Sequence, residues 1–277
     1  MLPGYIGNPR PWEEDEARVF HNRASTVQGH SMSTHCMVCQ LEVDGSETRH
    51  VVKVIEKEWT DHYEAEILAD LFHLTSSCLR NPVIPFEVFD CAKSKLIIMP
   101  QLCPLVNLSP WASGIHQIVL DFITQAIEAV DFLHSHNYAH LDIDMGNFVF
   151  ALENTVFGSF NIPKMTVYLI DFGHARRFDS GPGTNVTISH YPGGHLPPPE
   201  GEESVEPFAY DVYSLGIMIE DLCNLTQYLE PELQSFVEFL TVKDPQKRPM
   251  IGQVKEDWAS LRRSLRRGKL LNTCAPI

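Results

Sequence analysis

The stretch His140-Leu-Asp-Ile-Asp-Met-Gly-Asn147, followed later by Asp171-Phe-Gly173, decides the fold of this chain. The first stretch brings two carboxylates and an amide together in a short run, and the second adds a further carboxylate. A long amphipathic helix is predicted before it, because apolar residues over 115–133 recur at helical spacing. A hairpin is predicted after it, over residues 148–169. The polar stretch is therefore expected to be a loop between a helix and a hairpin.

The N-terminal third and the remainder of the chain carry different patterns. Alternating and β-branched segments predict strands at residues 24–28, 36–43, 49–55, 83–89 and 95–99, with one helix at 59–73. Helical spacing then predominates and predicts further helices over residues 211–225, 231–240 and 251–267. A small strand-rich part is therefore expected before a larger helical part, with the break near residues 100–104.

The composition of the chain predicts its number of domains, limits its partners and indicates its cellular compartment. The chain has 277 residues with 44% apolar content, which is enough for one or two domains with a substantial core. No apolar run approaches the roughly 20 residues that span a bilayer, so no membrane partner is expected. The net charge of −15 argues against a nucleic-acid partner. Seven scattered cysteines predict a reducing compartment, the cytoplasm or the nucleus.

Six features in order make the region from about residue 24 to residue 267 similar to the eukaryotic protein-kinase family. They are Lys53 in a strand, Glu64 in a helix, the 140–147 stretch counted together with 171–173, Pro198-Pro-Glu200, Asp211-Val-Tyr-Ser-Leu-Gly216, and Asp244-Pro-Gln-Lys-Arg-Pro249. The resemblance implies an α+β, two-lobed protein-kinase-like fold. It would have a small antiparallel-β N-lobe over residues 23–102 and a larger, mainly helical C-lobe over 103–268. A flexible extension over 1–22 and a tail over 269–277 are expected to flank them.

The resemblance also implies ATP as the phosphate donor and Mg²⁺ as its metal. Asp142 would accept the proton of the substrate hydroxyl. Asn147 and Asp171 would be the metal ligands, and hard oxygen donors of this kind suit Mg²⁺. Lys53, held by Glu64, would neutralise the α and β phosphates. Further contacts to the nucleotide are implied for Gly29, Val51, Met99, Gln101, Leu102 and Val149.

Two departures from the family pattern concern the nucleotide. The phosphate-covering stretch Gly29-His-Ser-Met-Ser-Thr34 keeps only the first glycine of the family's G-x-G-x-x-G pattern. Missing side chains let backbone N–H groups approach phosphates, so the fit is expected to be weaker. Val51 replaces the usual alanine at the roof of the adenine pocket and adds bulk there. Either change is expected to lower nucleotide affinity, and neither forbids binding.

Two further departures lie inside the decisive stretch. Asp144 stands where Ser/Thr members carry a lysine near the γ-phosphate. The change removes an attraction to the phosphate and adds a repulsion, and each of these two energies is about 4 kcal/mol at 4 Å and an effective dielectric of 20. Two outcomes stay open: severe impairment, or an Asp144 that points away while a neighbouring cation takes the lysine's place. Leu141 replaces the arginine that usually grips an activation-loop phosphate. Phosphorylation of that loop is therefore not expected to switch the site by arginine capture.

Three functions are compatible with these residues. The first is a protein kinase that transfers phosphate from ATP to Ser/Thr-type hydroxyls of a protein. The second is a pseudokinase that binds partners, and with them nucleotide, without turnover. The third is a kinase for a non-protein hydroxyl, because the stretch from Asp211 to Arg248 is shorter than usual and leaves little room for a helix that docks protein substrates. Retention of the five implied catalytic and metal residues favours the first function.

Overall fold

The computed structural model describes residues 13–23, 26–32, 36–42, 49–58, 63–74, 81–184, 186–189, 191–228 and 230–273. These residues divide into two compact units. The first unit takes in the described part of Met1–His73 together with Ile84–Leu102 and Ala151–Thr166. The second takes in the described part of Leu74–Val83, Cys103–Phe150 and Val167–Ile277. The fold is the two-lobed α+β fold that the resemblance predicted.

A five-stranded antiparallel sheet is the main element of the first unit. Its strands are β1 (Thr26–Met32), β2 (Cys36–Glu42), β3 (His50–Glu56), β4 (Glu87–Asp90) and β5 (Ser94–Pro100), in the order β1-β2-β3-β5-β4. The β-branched residues of β3 suit a pleated, buried strand, and residues 52–55 are all buried. In β1 the register shifts between Gln28 and His30, so that Gly29 forms a bulge. The rest of the predicted phosphate-covering stretch, Ser33 and Thr34, lies outside the described residues.

Two helices accompany this sheet. The helix predicted over 59–73 is confirmed as α2 (Glu64–Leu74), which buries the face that contains Ile67, Leu68 and Leu71. Residues 59–62 lie outside the described part, and Tyr63 precedes the helix. Glu64 is the first residue of α2, where a carboxylate complements the helix dipole.

The segment predicted as a flexible extension contains a helix, α1 (Glu14–Arg23). Its Glu16 is fully buried and hydrogen-bonds the hydroxyl of Ser94, while Asp15 accepts the backbone N–H of Ala92 at 2.6 Å. Phe20 is also buried. These contacts attach α1 to the β4–β5 turn, a long-range pairing that local sequence patterns do not reveal.

The second unit is built on four helices. They are α3 (Ile115–Ser135), α4 (Pro207–Thr226), α5 (Pro231–Leu240) and α6 (Ile251–Thr273). Pro207 and Pro231 each stand in the first turn of their helix, where the missing N–H costs nothing. The apolar face of α3 packs against α4 and α6. The predicted helices are thus confirmed, but α6 runs to Thr273, past the predicted helix end at residue 267 and into the predicted tail.

Short antiparallel strands flank the 140–147 loop. The strands β6 (Cys103–Pro104), β8 (Phe148–Phe150) and β11 (Val167–Leu169) form a sheet in the order β11-β8-β6. The strand β7 (Tyr138–Ala139) pairs with β12 (Arg176–Arg177). The hairpin of the first unit consists of β9 (Thr155–Phe157) and β10 (Phe160–Ile162). Pairing on both sides fixes where the 140–147 loop begins and ends. Among the described residues, every helix is too short or too polar to cross a membrane.

Candidate active site

Asp211 anchors the loop that contains residues 140–147. Its side chain is fully buried and accepts the backbone N–H groups of His140 and Leu141, each at 2.8 Å. The Nε2 of His134 lies 3.0 Å from the same carboxylate. Leu141 has φ +65°, a left-handed conformation that costs an L-residue roughly 1–2 kcal/mol. The carboxylate of Asp211 therefore stabilises a backbone turn that the loop would not adopt alone.

Asp142 lies in this turn and is almost fully buried. Its Oδ2 accepts a hydrogen bond of 2.9 Å from Nδ2 of Asn147, and the same nitrogen donates to the Asp142 carbonyl at 2.8 Å. Its Oδ1 accepts the backbone N–H of His195 at 2.8 Å and faces the Nδ1 of that ring at 3.0 Å. The structure thus brings Asp142 and Asn147 together, and it adds His195.

The surroundings of Asp142 determine its charge. Burial raises the pKa of this carboxyl, but the neighbouring rings of His174 and His195 and the backbone N–H of His195 outweigh burial and hold the pKa well below its usual range. The pKa of His195 is raised above its ordinary value of 6.5, first by its hydrogen bond to Asp142. Asp142 is therefore an ionised acceptor throughout the physiological pH range.

Asp144 has a local structural role. Its Oδ1 accepts the backbone N–H of Gly146 at 2.6 Å and so caps the short 3₁₀ turn Met145–Asn147. Capping of this kind suits an aspartate well and a lysine not at all. The hydrogen bond from Gly146 explains the orientation of the Asp144 side chain. The negative charge of this carboxylate nevertheless remains in the loop.

Leu141 is fully buried in an apolar cluster. The buried members are Ala139, Leu141, Ile188, Val205, Phe208 and Tyr210, with Phe178 and Tyr191 packed against them. Four of these residues, Phe178, Ile188, Tyr191 and Val205, come from the segment between Asp171 and α4. Apolar packing therefore holds that segment where the family pattern would place an arginine and a phosphate.

Asn147 and Asp171 supply oxygen donors of the kind that Mg²⁺ prefers. Asn147 uses its Nδ2 in both bonds to Asp142, so its Oδ1 is the atom suited to a metal. Asp171 has φ +63°, a turn conformation that starts the Asp171-Phe-Gly173 stretch. Within the described ranges no cluster of three or more His, Cys, Asp or Glu side chains could enclose a metal. An amide and a carboxylate oxygen therefore fit a cation that takes its other ligands from phosphate and water.

Lys53 and Glu64 form a buried ion pair within the first unit. The Lys53 Nζ lies 2.6 Å from Glu64 Oε2, and the two side chains are 6% and 2% exposed. Lys53 extends from the centre of β3, and Glu64 starts α2. A buried ion pair offsets its desolvation cost only when its charged atoms are in close contact. The Lys53–Glu64 distance meets this requirement. The predicted partnership of the two residues is therefore present in the structure.

The other predicted nucleotide residues lie on strands and connections. Val51 on β3 stands opposite Met99 on β5. The backbone N–H of Gln101 donates to the carbonyl of Arg49 at 2.7 Å, and Leu102 is the last residue of the Ile84–Leu102 segment of the first unit. Val149, in the second unit, is a buried residue of β8. Their contact with a nucleotide remains a prediction from the resemblance.

Arg248 and Glu200 form a second buried ion pair, in the second unit. The guanidinium donates to both carboxylate oxygens, at 3.2 Å and 2.6 Å. It also donates to the carbonyls of Val242, Lys243 and Ala209. This pairing ties the Pro198-Pro-Glu200 stretch to the chain before α6, as the resemblance implied.

Arg248→Lys is expected to lower the free energy of unfolding by about 2–4 kcal/mol, because lysine cannot reproduce the fork that serves a carboxylate and three carbonyls. Urea unfolding followed by circular dichroism measures this change. Lys247→Ala is the control, because Lys247 is an exposed neighbour. Equal effects of the two substitutions would contradict the role of Arg248.

Two residues of the site, His174 and His195, do not belong to any of the sequence motifs. His174 follows the Asp171-Phe-Gly173 stretch, and its Nδ1 lies 3.7 Å from Oδ2 of Asp142. His195 comes five residues before Glu200, after two glycines. A histidine after a glycine pair was the available signal, but only the folded loop brings it to Asp142.

Comparisons with known proteins bear on the family and the fold of this chain. The model of the family described as "Protein kinase domain" matches residues 35–230. The serine/threonine-protein kinase WNG2 of Toxoplasma gondii is 24% identical over 296 residues, covering 93% of this chain and 50% of the relative. The chain therefore spans about half the length of that relative. The kinase PK-1 of Cydia pomonella granulovirus shares the fold with a TM-score of 0.60 at 13% identity, covering 86% of this chain and 94% of that one.

Proposed function

This chain belongs to the protein kinase family, and from that premise we propose that it transfers the γ-phosphate of ATP to serine or threonine hydroxyls of proteins. One observation supports this most strongly. The ionised Asp142 is bonded to Asn147 in a loop that Asp211 stabilises. A protein that only binds partners has no chemical need for this arrangement.

Each of the polar groups in the site has a distinct task in the proposed reaction. Asp142 accepts a hydrogen bond from the incoming hydroxyl and orients it. Its lowered pKa makes it a weak base, so it orients the hydroxyl and takes the proton late, which suits a loose phosphoryl transition state. Asn147 and Asp171 would hold Mg²⁺, which supplies neutralisation of the phosphate charge when bound.

Lys53 carries the remaining positive charge of the proposal. Held by Glu64, its ammonium is already oriented, so little entropy is lost when it meets the α and β phosphates. The weak phosphate-covering stretch makes this cation more important here than in a protein with all three glycines.

Lys53→Met is expected to weaken ATP–Mg²⁺ binding by about 10- to 100-fold, because a charge-assisted bond contributes roughly 1.5–3 kcal/mol. Isothermal titration calorimetry with ATP and Mg²⁺ measures the affinity. Lys57→Met is the matched control, because Lys57 follows the same strand, is partly exposed and pairs with Asp90. Unchanged affinity in Lys53→Met would contradict the proposed role of Lys53.

The substrate class is tested with the same protein. Labelled ATP and a mixed peptide library should give phosphoserine or phosphothreonine and little phosphotyrosine. Transfer only to small polyols would instead support a kinase for a non-protein hydroxyl. ATP binding without transfer to any acceptor would support the pseudokinase, whose motivating features are Asp144, Val51 and the poor phosphate-covering stretch.

A further inference from the structure

We propose that His195 is the positioning cation of this site: its protonated ring holds the Asp142 carboxylate and offsets the charge of Asp144. Phosphate transfer is then fastest when His195 is protonated. This inference rests on the proposed function and adds to it a residue and a form of regulation. It answers the problem that Asp144 creates, namely that the usual lysine two residues after the acceptor is replaced by an anion.

The geometry at Oδ1 of Asp142 is the first support. His195 reaches this atom twice, through its backbone N–H at 2.8 Å and through Nδ1 at 3.0 Å. Two donors from one residue fix the position of this oxygen. With Asn147 on Oδ2 at 2.9 Å, Asp142 is held from both sides.

The close approach of the backbone is the second support. A Cβ on Gly194 would lie 2.7 Å from Oδ1 of Asp142 and 3.1 Å from the carbonyl oxygen of Leu141. It would also collide with the hydroxyl of Tyr191. Only glycine lets the chain pass this close, so the residue before His195 is suited to bring His195 against Asp142.

The distribution of charge is the third support. Among the described residues, the carboxylates of Asp142, Asp144 and Asp171 act on His195. Around them, the ring of His174 faces Asp142, the Tyr191 hydroxyl lies beside Gly194 and pairs with that of Tyr210, and Glu202 acts on Tyr191. Three carboxylates favour a cation at this position. The pKa of His195 is accordingly raised, first by its bond to Asp142 and further by Asp144 and Asp171.

His195 is better placed for this role than His174. The ring of His174 lies 3.7 Å from Oδ2, beyond hydrogen-bond distance. The side chain of His195 is 60% exposed, so it exchanges protons with solvent while its Nδ1 faces Asp142. A group that is raised in pKa keeps its charge below that pKa and loses it as the pH rises through it. Activity should therefore fall on the alkaline side of pH 6.5, the ordinary value for histidine.

The test compares the full chain with His195→Gln and His195→Lys, measuring kcat and KM for ATP and a peptide from about pH 5.5 to about pH 9, an interval that includes the ordinary histidine pKa. For each variant, kcat and KM are divided by the native values at the same pH, because the effects of pH on ATP ionisation and on Mg²⁺ binding by ATP then cancel. His21→Gln, on an exposed face of α1, is the matched control.

His195→Gln should lower kcat by about 10- to 100-fold at pH 6, as expected for a misplaced reacting group, with little change in KM. The difference in kcat between His195→Gln and the native protein should shrink as the pH rises, because the native His195 ring loses its charge. His195→Lys should recover activity and keep it at pH 9, since lysine stays protonated. His21→Gln should follow the native profile.

Other results overturn the inference in distinguishable ways. A His195→Gln/native ratio that does not change with pH, or a kcat that rises in His195→Gln, would refute the positioning cation while leaving the proposed function intact. A kcat of His195→Lys that does not exceed the kcat of His195→Gln at pH 9 would also refute the positioning cation and leave the proposed function intact. Absence of transfer by the native protein at every pH would refute the proposed function and this inference together.

Discussion

Asp142→Asn is expected to lower the rate of phosphate transfer by about 10²- to 10⁴-fold, the usual contribution of a positioned acid–base group. Asparagine has the same shape and still accepts the backbone N–H of His195. The charge that orients the hydroxyl and pairs with His195 is lost. Binding of ATP and Mg²⁺ should change little, because the implied phosphate and metal contacts come from Lys53, Asn147 and Asp171.

Asp144→Asn is the matched control, since it makes the same chemical change two residues away. Asparagine can still cap the turn by accepting the N–H of Gly146. Removing this anion should leave the rate within about threefold of the native value or raise it. Single-turnover assays with labelled ATP compare the two variants, with calorimetry for ATP affinity. Similar losses in both would contradict the separate roles assigned to Asp142 and Asp144.

Asp211→Ala is expected to lower the free energy of unfolding by about 3–5 kcal/mol. The substitution leaves two buried N–H groups, of His140 and Leu141, without their acceptor, and it removes the carboxylate beside His134. A buried donor without an acceptor costs about 1–3 kcal/mol. The left-handed turn at Leu141 then loses the bonds that stabilise it.

Asp221→Ala is the control for Asp211→Ala, because Asp221 lies on the same helix and is exposed. It should change stability by less than about 0.5 kcal/mol. Urea unfolding gives the free energies, and a constant m-value shows that both variants unfold as the native chain does. A loss below about 1 kcal/mol in Asp211→Ala would show that the loop does not depend on this carboxylate.

Several parts of the fold could be predicted because they rest on local patterns. The apolar spacing over residues 115–133 predicted α3, and β-branched runs predicted β3 and β5. The pairings of Lys53 with Glu64 and of Arg248 with Glu200 followed from family motifs and are present. Such features are encoded within a short stretch or within a motif.

Other features depend on contacts between distant residues, which local patterns do not contain. The attachment of α1 to the β4–β5 turn joins residues that are 77 or more positions apart. The contact of His195 with Asp142 spans 53 positions and requires Gly194. The family pattern marks Leu141 only as a missing arginine, whereas the structure places it in an apolar cluster.

We propose that this chain transfers phosphate despite Asp144. A single turnover of labelled ATP on a serine and threonine peptide library, with native protein in excess, tests this proposal most directly. We expect native protein to phosphorylate serine or threonine, and Asp142→Asn to bind ATP with almost unchanged affinity while transferring at least about 100-fold more slowly. Native protein that binds ATP and Mg²⁺ yet transfers no phosphate would contradict the claim and identify a pseudokinase.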